Sequence, residues 1–335
     1  MQDQLISQGL IPLDKSWTIR MGMLDLVHHT HYTLPILQQH SLGNDLFALQ
    51  QALHEWPTQD IIHVGESGTL YRFLQYLSWK EGADKEFIKE GTLLARAITY
   101  NPKIITYPIA QLLHLDHGTS QWASAALLSG HQERIMRPPY HLAMTYEALD
   151  HWNTHQKNGK PWETRFDQTI LKQAKTFMNL QQGKLEFIPE QPEDYCFARA
   201  FGFITLQEGL QRWPSLQGHE SNRIEEMERA LEDNAKGREI TTQDHRIIQA
   251  IAMKNAIDGR TISFTHPEAV RKSWPQFWNF LEYGAWGLSA LLGLFIVADW
   301  IRTDTTYSEE MLTSSREGEL EAMTEEHSAH GGHHG

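Results

Sequence analysis

The segment LDKSWTIRMG, residues 13–22, places two cations and a hydroxyl group close together near the start of the chain. They belong to Lys15, Ser16 and Arg20. Ammonium and guanidinium groups beside a hydroxyl donor are suited to binding a carboxylate or a phosphate. The simpler alternative is a solvated helix face, because most surface charges have no chemical role. The segment alone leaves both interpretations open.

A small-residue turn in the stretch HVGESGTLYRFLQYL suggests a second place for an anion. Gly65, Ser67, Gly68 and Thr69 precede a predicted helix that carries Arg72. The first backbone N–H groups of a helix have no partner within it and favour an anion, and Arg72 adds a fixed positive charge. A purely structural turn is the alternative, so this stretch also needs support from elsewhere.

Three later segments place polar or basic residues where helices begin or the chain bends. In LDHGTSQWASAALLSG, hydroxyl and amide side chains start an Ala/Leu-rich helix, where they can cap the helix or hold a phosphate. DHRIIQAIAM opens an apolar helix with Asp, His and Arg, and VRKSWPQFW places a lysine before a Trp-Pro bend. The residues concerned are Thr119, Ser120, Gln121, Asp244, His245, Arg246 and Lys272.

The composition permits a large folded protein and restricts its ligands. The chain has 335 residues, 40% of them hydrophobic, and a formal net charge of −13, so two domains or one large domain are expected. Nucleic-acid binding is not expected, because phosphate backbones require a basic surface. A small anion would need a locally positive pocket. Cys196 is the single cysteine, which fits a reducing, cytoplasmic compartment.

The elements that must position these residues are predicted to be helices and short strands, in an α/β (α+β) fold. NDLFALQQALHEW and SNRIEEMERALEDN have apolar residues at helical spacing. Asn44 and either Ser221 or Asn222 occupy positions typical of helix caps. RTISFT and KLEFIP are predicted as short strands.

The C-terminal part differs in composition from the rest of the chain. Residues 283–301 contain the uncharged run YGAWGLSALLGLFIVA, which predicts either a membrane helix or a helix that is buried or covered by a partner. Residues 302–335 are acidic and rich in Ser, Thr, Gly and His, which predicts a tail that needs a partner to become ordered. Tethering to a membrane through residues 283–301 is therefore one alternative for an otherwise cytoplasmic protein.

Together and in this order, the motifs resemble those of the enolpyruvyl transferase family, and within it the EPSP synthases. DKSWTIR is similar to the family's Lys-Ser-x-Thr-Asn-Arg start, with Ile19 in place of Asn. GESGTLYRFL is similar to its glycine turn, and LLARAI to its Arg-Pro-Ile segment, with Ala97 in place of Pro. GTSQWASAALL, RPPYHLAMTYEAL, HESNRIEEM, DHRIIQAIAM and VRKSWPQFW resemble the later motifs, with His219 where the family has Lys. The resemblance spans residues 13–281.

The resemblance implies a reaction and a set of site residues. Family members transfer the enolpyruvyl group of phosphoenolpyruvate to the 5-hydroxyl of shikimate 3-phosphate, without a metal or other cofactor. It implies catalytic roles for Lys15, Glu220 and His245. The two small anionic substrates would be held by separate groups. Shikimate 3-phosphate would contact Ser16, Arg20, Thr119, Ser120, Gln121 and Tyr140, and phosphoenolpyruvate would contact Lys15, Arg72, Arg96, Arg223, Arg246 and Lys272.

The resemblance also implies a domain organisation, in which two domains of repeated strand–helix units enclose the substrates. One would cover residues 15–190, and residues 1–14 and 191–282 would form the second. The histidines of HHTHY, residues 28–32, have a spacing found in metal sites, but no second Cys/His set pairs with them. We therefore expect no metal.

Part of the family pattern is missing from this chain. Between PEDYCFARAFGFITLQEGL and HESNRIEEM, the chain lacks the section that in the family carries the aspartate assigned as general base. Loss of a general base typically lowers the rate by ~100- to 10,000-fold. The first hypothesis is a shortened, active transferase in which Glu220 or His219 replaces that base. The second is a catalytically silent homologue, serving as a structural or accessory subunit of a membrane-associated complex.

Overall fold

The structure of the chain is a computed structural model that describes residues 1–133, 135–136, 138–139, 142–160, 162–217 and 222–286. Helices, including short 3-10 turns, account for 61% of the described residues. One two-stranded parallel sheet accompanies them. The predicted α+β class is therefore confirmed in this general sense. The repeated strand–helix fold of the enolpyruvyl transferases stays a prediction.

Fourteen α-helices are present in the described part of the chain. They are α1 (Gln2–Ser7), α2 (Lys15–His28), α3 (Thr33–Gln38), α4 (Asn44–Glu55), α5 (Gly68–Glu81), α6 (Ile109–Leu112), α7 (Gln121–Leu128), α8 (Ala143–Asn158), α9 (Gln168–Leu180), α10 (Tyr195–Ala200), α11 (Leu206–Arg212), α12 (Arg223–Ala235), α13 (His245–Asp258) and α14 (Phe277–Trp286).

The sheet is a single strand–helix–strand unit. β1 (Ile61–Gly65) and β2 (Glu86–Lys89) run parallel, and α5 connects them. Ile62 pairs with Phe87, and the register shifts by one residue before Gly65. Parallel neighbours need a crossover connection of this kind, because a tight turn can join only antiparallel strands. The unit places the start of α5 directly after the end of β1.

Helix α2 lies at the centre of the helical packing. It packs against α4, α5, α7 and α8, and every residue from Trp17 to Leu26 is buried. A helix buried on all sides normally contains few charged residues. The charged residues that it does contain have partners: Asp25 accepts hydrogen bonds from Thr30 Oγ1 at 2.5 Å and from Thr33 N at 2.6 Å.

Helix α13 organises the later part of the chain. It packs against α10, α12 and the 3-10 turn Pro267–Lys272, and most of its residues are buried. The end of this region is tied to the start of the chain, because Trp274 Nε1 donates to the carbonyl oxygen of Leu10 at 2.8 Å. Residues far apart in sequence are thereby brought together around the helix starts described below.

Most of the predicted helices are confirmed, and the two predicted strands are wrong. α4 and α12 form where the apolar spacing placed them, and Asn222 caps α12, but Gly43 rather than Asn44 is the cap of α4. KLEFIP forms no strand, and RTISFT contributes only one bridge, between Ile240 and Phe264. A β-branched or aromatic run becomes a strand only where a neighbouring chain pairs with it, which local sequence does not reveal.

The contacts divide the chain into two compact units, Met1–Phe280 and Leu281–Gly335. The finer division into residues 15–190 against 1–14 and 191–282 stays a prediction. Among the described residues, no helix is both long enough and apolar enough to span a bilayer. Residues 287–301 of the apolar segment and the tail at 302–335 lie outside the described residues, as do Tyr140, His219 and Glu220.

Candidate anion-binding site

A cavity of about 250 Å³ collects several of the basic residues singled out in the sequence. Lys15, Arg223, Arg246 and Lys272 all line it, together with His245. These residues come from segments at opposite ends of the described chain, from Lys15 to Lys272. We call it the cationic cavity. Its remaining lining residues are Pro12, Leu13, Ser41, Gly43, Asp45, Leu46, Asp167, Glu193 and Ser273.

Five helices of the described chain begin at the cationic cavity. Its lining includes the cap or a first-turn residue of α2, α4, α9, α12 and α13. Each of these helices has 12 to 14 residues. A helix carries about half a positive charge at its N-terminus, where backbone N–H groups lack partners within the helix. The backbone therefore adds to the positive potential of the four basic side chains.

A short antiparallel bridge aligns the starts of α2 and α9. Residues 12–14 pair with residues 165–167. Asp14 caps α2 by accepting a backbone N–H at 2.9 Å, and Asp167 caps α9 in the same way, also at 2.9 Å. The sequence folds locally in this way because an aspartate before an apolar helix satisfies an N–H group that has no other partner.

The start of α4 approaches both Lys15 and the end of the 3-10 turn Pro267–Lys272. Lys15 Nζ lies 2.9 Å from Asp45 Oδ2, which joins the first turns of α2 and α4. Gly43 permits the second approach, since a Cβ there would lie 3.0 Å from the carbonyl oxygen of Arg271 and 3.1 Å from that of Lys272. A larger residue at 43 would push Lys272 away from the cavity.

The carboxylate of Asp244 positions two of the arginines. Its Oδ2 accepts from Arg223 Nε at 2.7 Å, while its Oδ1 caps α13 by accepting from the backbone N of Arg246 at 2.9 Å. Burial opposes the charged form of Arg223, but Asp244, together with Cys196 and Glu193, outweighs burial and raises the pKa of Arg223 above its ordinary value. Arg223 therefore stays charged at the cavity wall.

The pKa of His245 is lowered by its burial and by the cations around it. Its pKa lies well below the ordinary value, first because the side chain is buried and then because cations surround it. The imidazole is therefore neutral near pH 7, so it can donate or accept a hydrogen bond but adds no charge to the cavity. The cations that depress its pKa are Arg246, Arg223, Lys272 and Lys15.

The second group of predicted site residues surrounds the start of α5. Arg72 Nε donates to Asp116 Oδ2 at 2.8 Å, and Arg72 Nη1 donates to Gln121 Oε1 at 2.5 Å. Gln121 Nε2 in turn donates to Thr69 Oγ1 at 2.8 Å. These contacts join the first turns of α5 and α7 and hold Arg72 in one orientation.

Arg96 approaches the same helix start. A Cβ at Gly68 would lie 2.9 Å from Arg96 Nη1 and 3.1 Å from Arg72 Nη1, so both guanidinium groups approach the same point of the backbone. Arg96 Nη2 also donates to Thr92 Oγ1 at 3.3 Å. Two guanidinium groups this close repel each other, and an anion between them would relieve the repulsion. None of these residues lines the cationic cavity as described.

Arg20, predicted to bind a substrate phosphate, has hydrogen-bond partners in the protein interior. Its Nε donates to Thr145 Oγ1 at 2.9 Å, and Thr145 Oγ1 donates to Ser124 Oγ at 2.8 Å. Its Nη1 donates to the carbonyl oxygen of Ser16 at 2.9 Å. Burial lowers its pKa to about 10, although Asp14 acts in the opposite direction. Arg20 joins α2, α7 and α8.

The other predicted residues at the start of α7 are partly exposed. Ser120 is the N-cap residue of α7, and Thr119 Oγ1 accepts a hydrogen bond from Gln121 N at 3.3 Å.

In HHTHY, the ring of His28 stacks on Trp152 with 4.6 Å between centroids. Throughout the described ranges, His, Cys, Asp and Glu side chains form no group of three that could hold a metal ion.

Sequence reasoning missed the carboxylates of both sites. Asp45, Asp167 and Glu193 line the cationic cavity, and Asp116 holds Arg72. Asp167 precedes the apolar run of α9, which is a recognisable cap signal. The roles of the other three depend on contacts between distant segments and have no local signature.

No protein-family model, no curated protein and no solved structure matches the chain. The resemblance to the EPSP synthases therefore depends on the sequence motifs alone.

Proposed function

We propose that the protein binds small, multiply charged anions in the cationic cavity. The observation that carries the proposal is the convergence of Lys15, Arg223, Arg246 and Lys272 with the N-termini of five helices. This convergence opposes the net charge of −13 of the whole chain. A concave site with several convergent positive groups is the usual form of a binding site for a carboxylated or phosphorylated molecule.

Phosphoenolpyruvate has the chemistry that such a cavity would recognise, and the sequence motifs favour it. Its carboxylate and phosphate suit the forked donors of Arg223 and Arg246, while lysines act as point charges. We propose enolpyruvyl transfer to the 5-hydroxyl of shikimate 3-phosphate as the reaction. In that reaction Lys15 supplies a proton to C3, the methylene carbon of phosphoenolpyruvate, and neutral His245 hydrogen-bonds to the substrate.

The second candidate, a catalytically silent homologue, is favoured by the internal partners of the acceptor-side residues. Arg20 is occupied by Thr145 and Ser16, and Gln121 is occupied by Arg72 and Thr69. These groups must exchange protein partners for substrate before they can bind shikimate 3-phosphate. A protein that binds one anion without turning it over would not need that exchange.

Isothermal titration calorimetry with phosphoenolpyruvate tests the binding proposal on the full chain. K272M and R246M should each weaken binding by roughly 10- to 100-fold, because a hydrogen bond to a charged group is worth about 1.5–3 kcal/mol. R238M is the matched control, because Arg238 is exposed and pairs with Asp233 away from the cavity. Equal binding by all three variants and the unaltered protein would contradict the proposal.

Phosphate release separates the two candidates. Turnover of phosphoenolpyruvate with shikimate 3-phosphate, followed by a coupled phosphate assay, would support the transferase. Tight binding of phosphoenolpyruvate without phosphate release would support the silent homologue. If phosphoenolpyruvate does not bind at all, the binding proposal and the transferase are both wrong, and the result would point to a purely structural role.

A further inference from the structure

The carboxylates around the cationic cavity differ in their surroundings. Asp45 is paired with Lys15 at 2.9 Å. Asp167 forms no ion pair with any described residue, although its Oδ1 accepts a hydrogen bond from Ile170 N at 2.9 Å. A half-buried carboxyl group that faces a ligand cavity without an ion-pair partner is available to exchange a proton.

We propose that Asp167 is the proton-transfer group of the cationic cavity and takes the place of the general base that the chain lacks. This inference rests on the proposed function. Asp167 differs from the carboxylates considered from the sequence, because only the fold brings it beside Lys15, His245 and Arg246. The bridge between residues 12–14 and 165–167 provides that placement.

The proposed step balances with two protein groups. In the addition, the Asp167 carboxylate takes the proton of the acceptor hydroxyl as its oxygen bonds to C2 of phosphoenolpyruvate. The Lys15 ammonium gives a proton to C3, and the C2–C3 double bond is consumed. In the elimination, C3 returns a proton to Lys15, the double bond forms again, and the C2–O bond to phosphate breaks. The leaving phosphate takes the proton from Asp167.

The surroundings of Asp167 favour its protonated form more than water does. Burial raises its pKa above the ordinary value for an aspartate, although its backbone hydrogen bonds and the charges of Arg246 and Lys15 act in the opposite direction. The neutral ring of His245 and the carboxyl of Asp14 also lie in this neighbourhood. An anion that binds in the cavity adds a negative charge and should favour the protonated carboxyl further.

Asp14 provides a matched control. It also caps a helix, its pKa is also raised by burial, and it lies beside Asp167, but it does not line the cavity. Asparagine caps helices about as well as aspartate. D14N and D167N should therefore both fold. The unfolding temperatures of the two variants should be similar. E193Q is a comparison variant rather than a neutral control, because it removes a second carboxylate from the cavity wall without altering Asp167.

Calorimetry of phosphoenolpyruvate binding at pH 6, in two buffers with different ionisation enthalpies, measures the linked proton uptake. The unaltered protein and D14N should take up protons on binding, beyond what the ligand itself requires. D167N should lose this additional proton uptake. It should bind phosphoenolpyruvate at least as tightly as the unaltered protein does, because a negative charge is removed from the cavity. In the coupled phosphate assay, D167N should lower kcat by ~100- to 10,000-fold and remove the acid limb of the pH profile.

Each outcome of these measurements supports or overturns the proton-transfer role of Asp167. Unchanged proton uptake or unchanged kcat in D167N would overturn the role of Asp167 while leaving the proposed function intact. Loss of both in E193Q but not in D167N would assign the role to Glu193 instead. If the unaltered protein binds phosphoenolpyruvate without turnover, the proton uptake alone decides. If it does not bind, the proposed function is overturned, and the inference with it.

Discussion

Arg72 and Asp116, which are 44 residues apart in sequence, form an ion pair with 2.8 Å between Nε and Oδ2. The same carboxylate accepts from Trp122 Nε1 at 2.8 Å, and its other oxygen accepts from Thr99 N at 2.8 Å and Thr99 Oγ1 at 2.7 Å. Asp116 is therefore the group that fixes the orientation of Arg72 and ties the loop at Thr99 to α7.

The D116N variant should be strongly destabilised. Both oxygens of Asp116 accept hydrogen bonds, so the NH₂ group of an asparagine would face other donors and leave them without an acceptor. Arg72 would also lose its counter-charge. Breaking such a pair costs about 3–5 kcal/mol. Urea denaturation followed by circular dichroism measures it, with D60N as control because Asp60 is exposed. A loss no larger than that of D60N would contradict the assigned role.

Acid should release the same stabilisation. Burial raises the pKa of Asp116, but the hydrogen bonds from Thr99, Arg72 and Trp122 outweigh burial and lower it below 3.8. The stabilisation is therefore complete above pH 3.8 and is lost as the pH falls through the lowered pKa. The difference in free energy of unfolding between the unaltered protein and D116N should therefore become smaller at the lowest pH values at which both still fold.

Asp244 is expected to contribute through two separable interactions. D244N keeps an oxygen that can cap α13 but loses the ion pair with Arg223, which should cost about 1.5–3 kcal/mol. D244A also loses the cap and should cost about 1 kcal/mol more. Chemical denaturation of both variants measures the difference. Identical stabilities would show that the cap contributes nothing.

Three histidines should make the fold sensitive to mild acid. Burial is the first cause that lowers the pKa values of His28, His151 and His245 below 6.5. The unfolded chain therefore binds more protons than the folded one as the pH falls below 6.5, so the free energy of unfolding should decrease there. Thermal unfolding between pH 7 and pH 5 measures this decrease.

His151 offers a way to assign part of that pH dependence. Its ring lies 3.6 Å from that of His155, and protonating one ring disfavours protonating the other. H151Q should reduce the dependence of unfolding temperature on pH, whereas H31Q, at an exposed position, should not. The opposite ranking of the two variants would contradict the assignment.

Gly209 should not tolerate a methyl group. A Cβ there would lie 2.9 Å from Cδ2 of the fully buried Tyr195 ring and still closer to Cε2. Alanine normally improves a helix by about 1 kcal/mol over glycine, but G209A should instead destabilise the protein by about 1–3 kcal/mol through overpacking. In a Y195A background the same change should cost far less, because the ring is gone. Additive effects in this cycle would refute the steric explanation.

The helix starts that carry basic residues could be predicted from the sequence, because their signals are local. Apolar residues at helical spacing after a cap residue identified α12, a small-residue turn identified the start of α5, and polar residues before an apolar run identified the start of α13. The motif order also suggested that distant cations share a site. The strands predicted at RTISFT and KLEFIP failed, because strand formation depends on a pairing partner that lies elsewhere in the chain.

The sequence by itself determined where helices begin, and with them which basic residues stand at positive helix ends. The tertiary structure alone decided which of those ends meet. The cationic cavity is lined by Lys15, Arg223, Arg246 and Lys272. Arg72 and Arg96 both approach the start of α5, and Arg20 lies in the interior. The tertiary structure also decided which carboxylate accompanies each cation. The physical reason is that burial and charge pairing depend on contacts between segments distant in sequence, whereas caps and helical periodicity need only neighbouring residues.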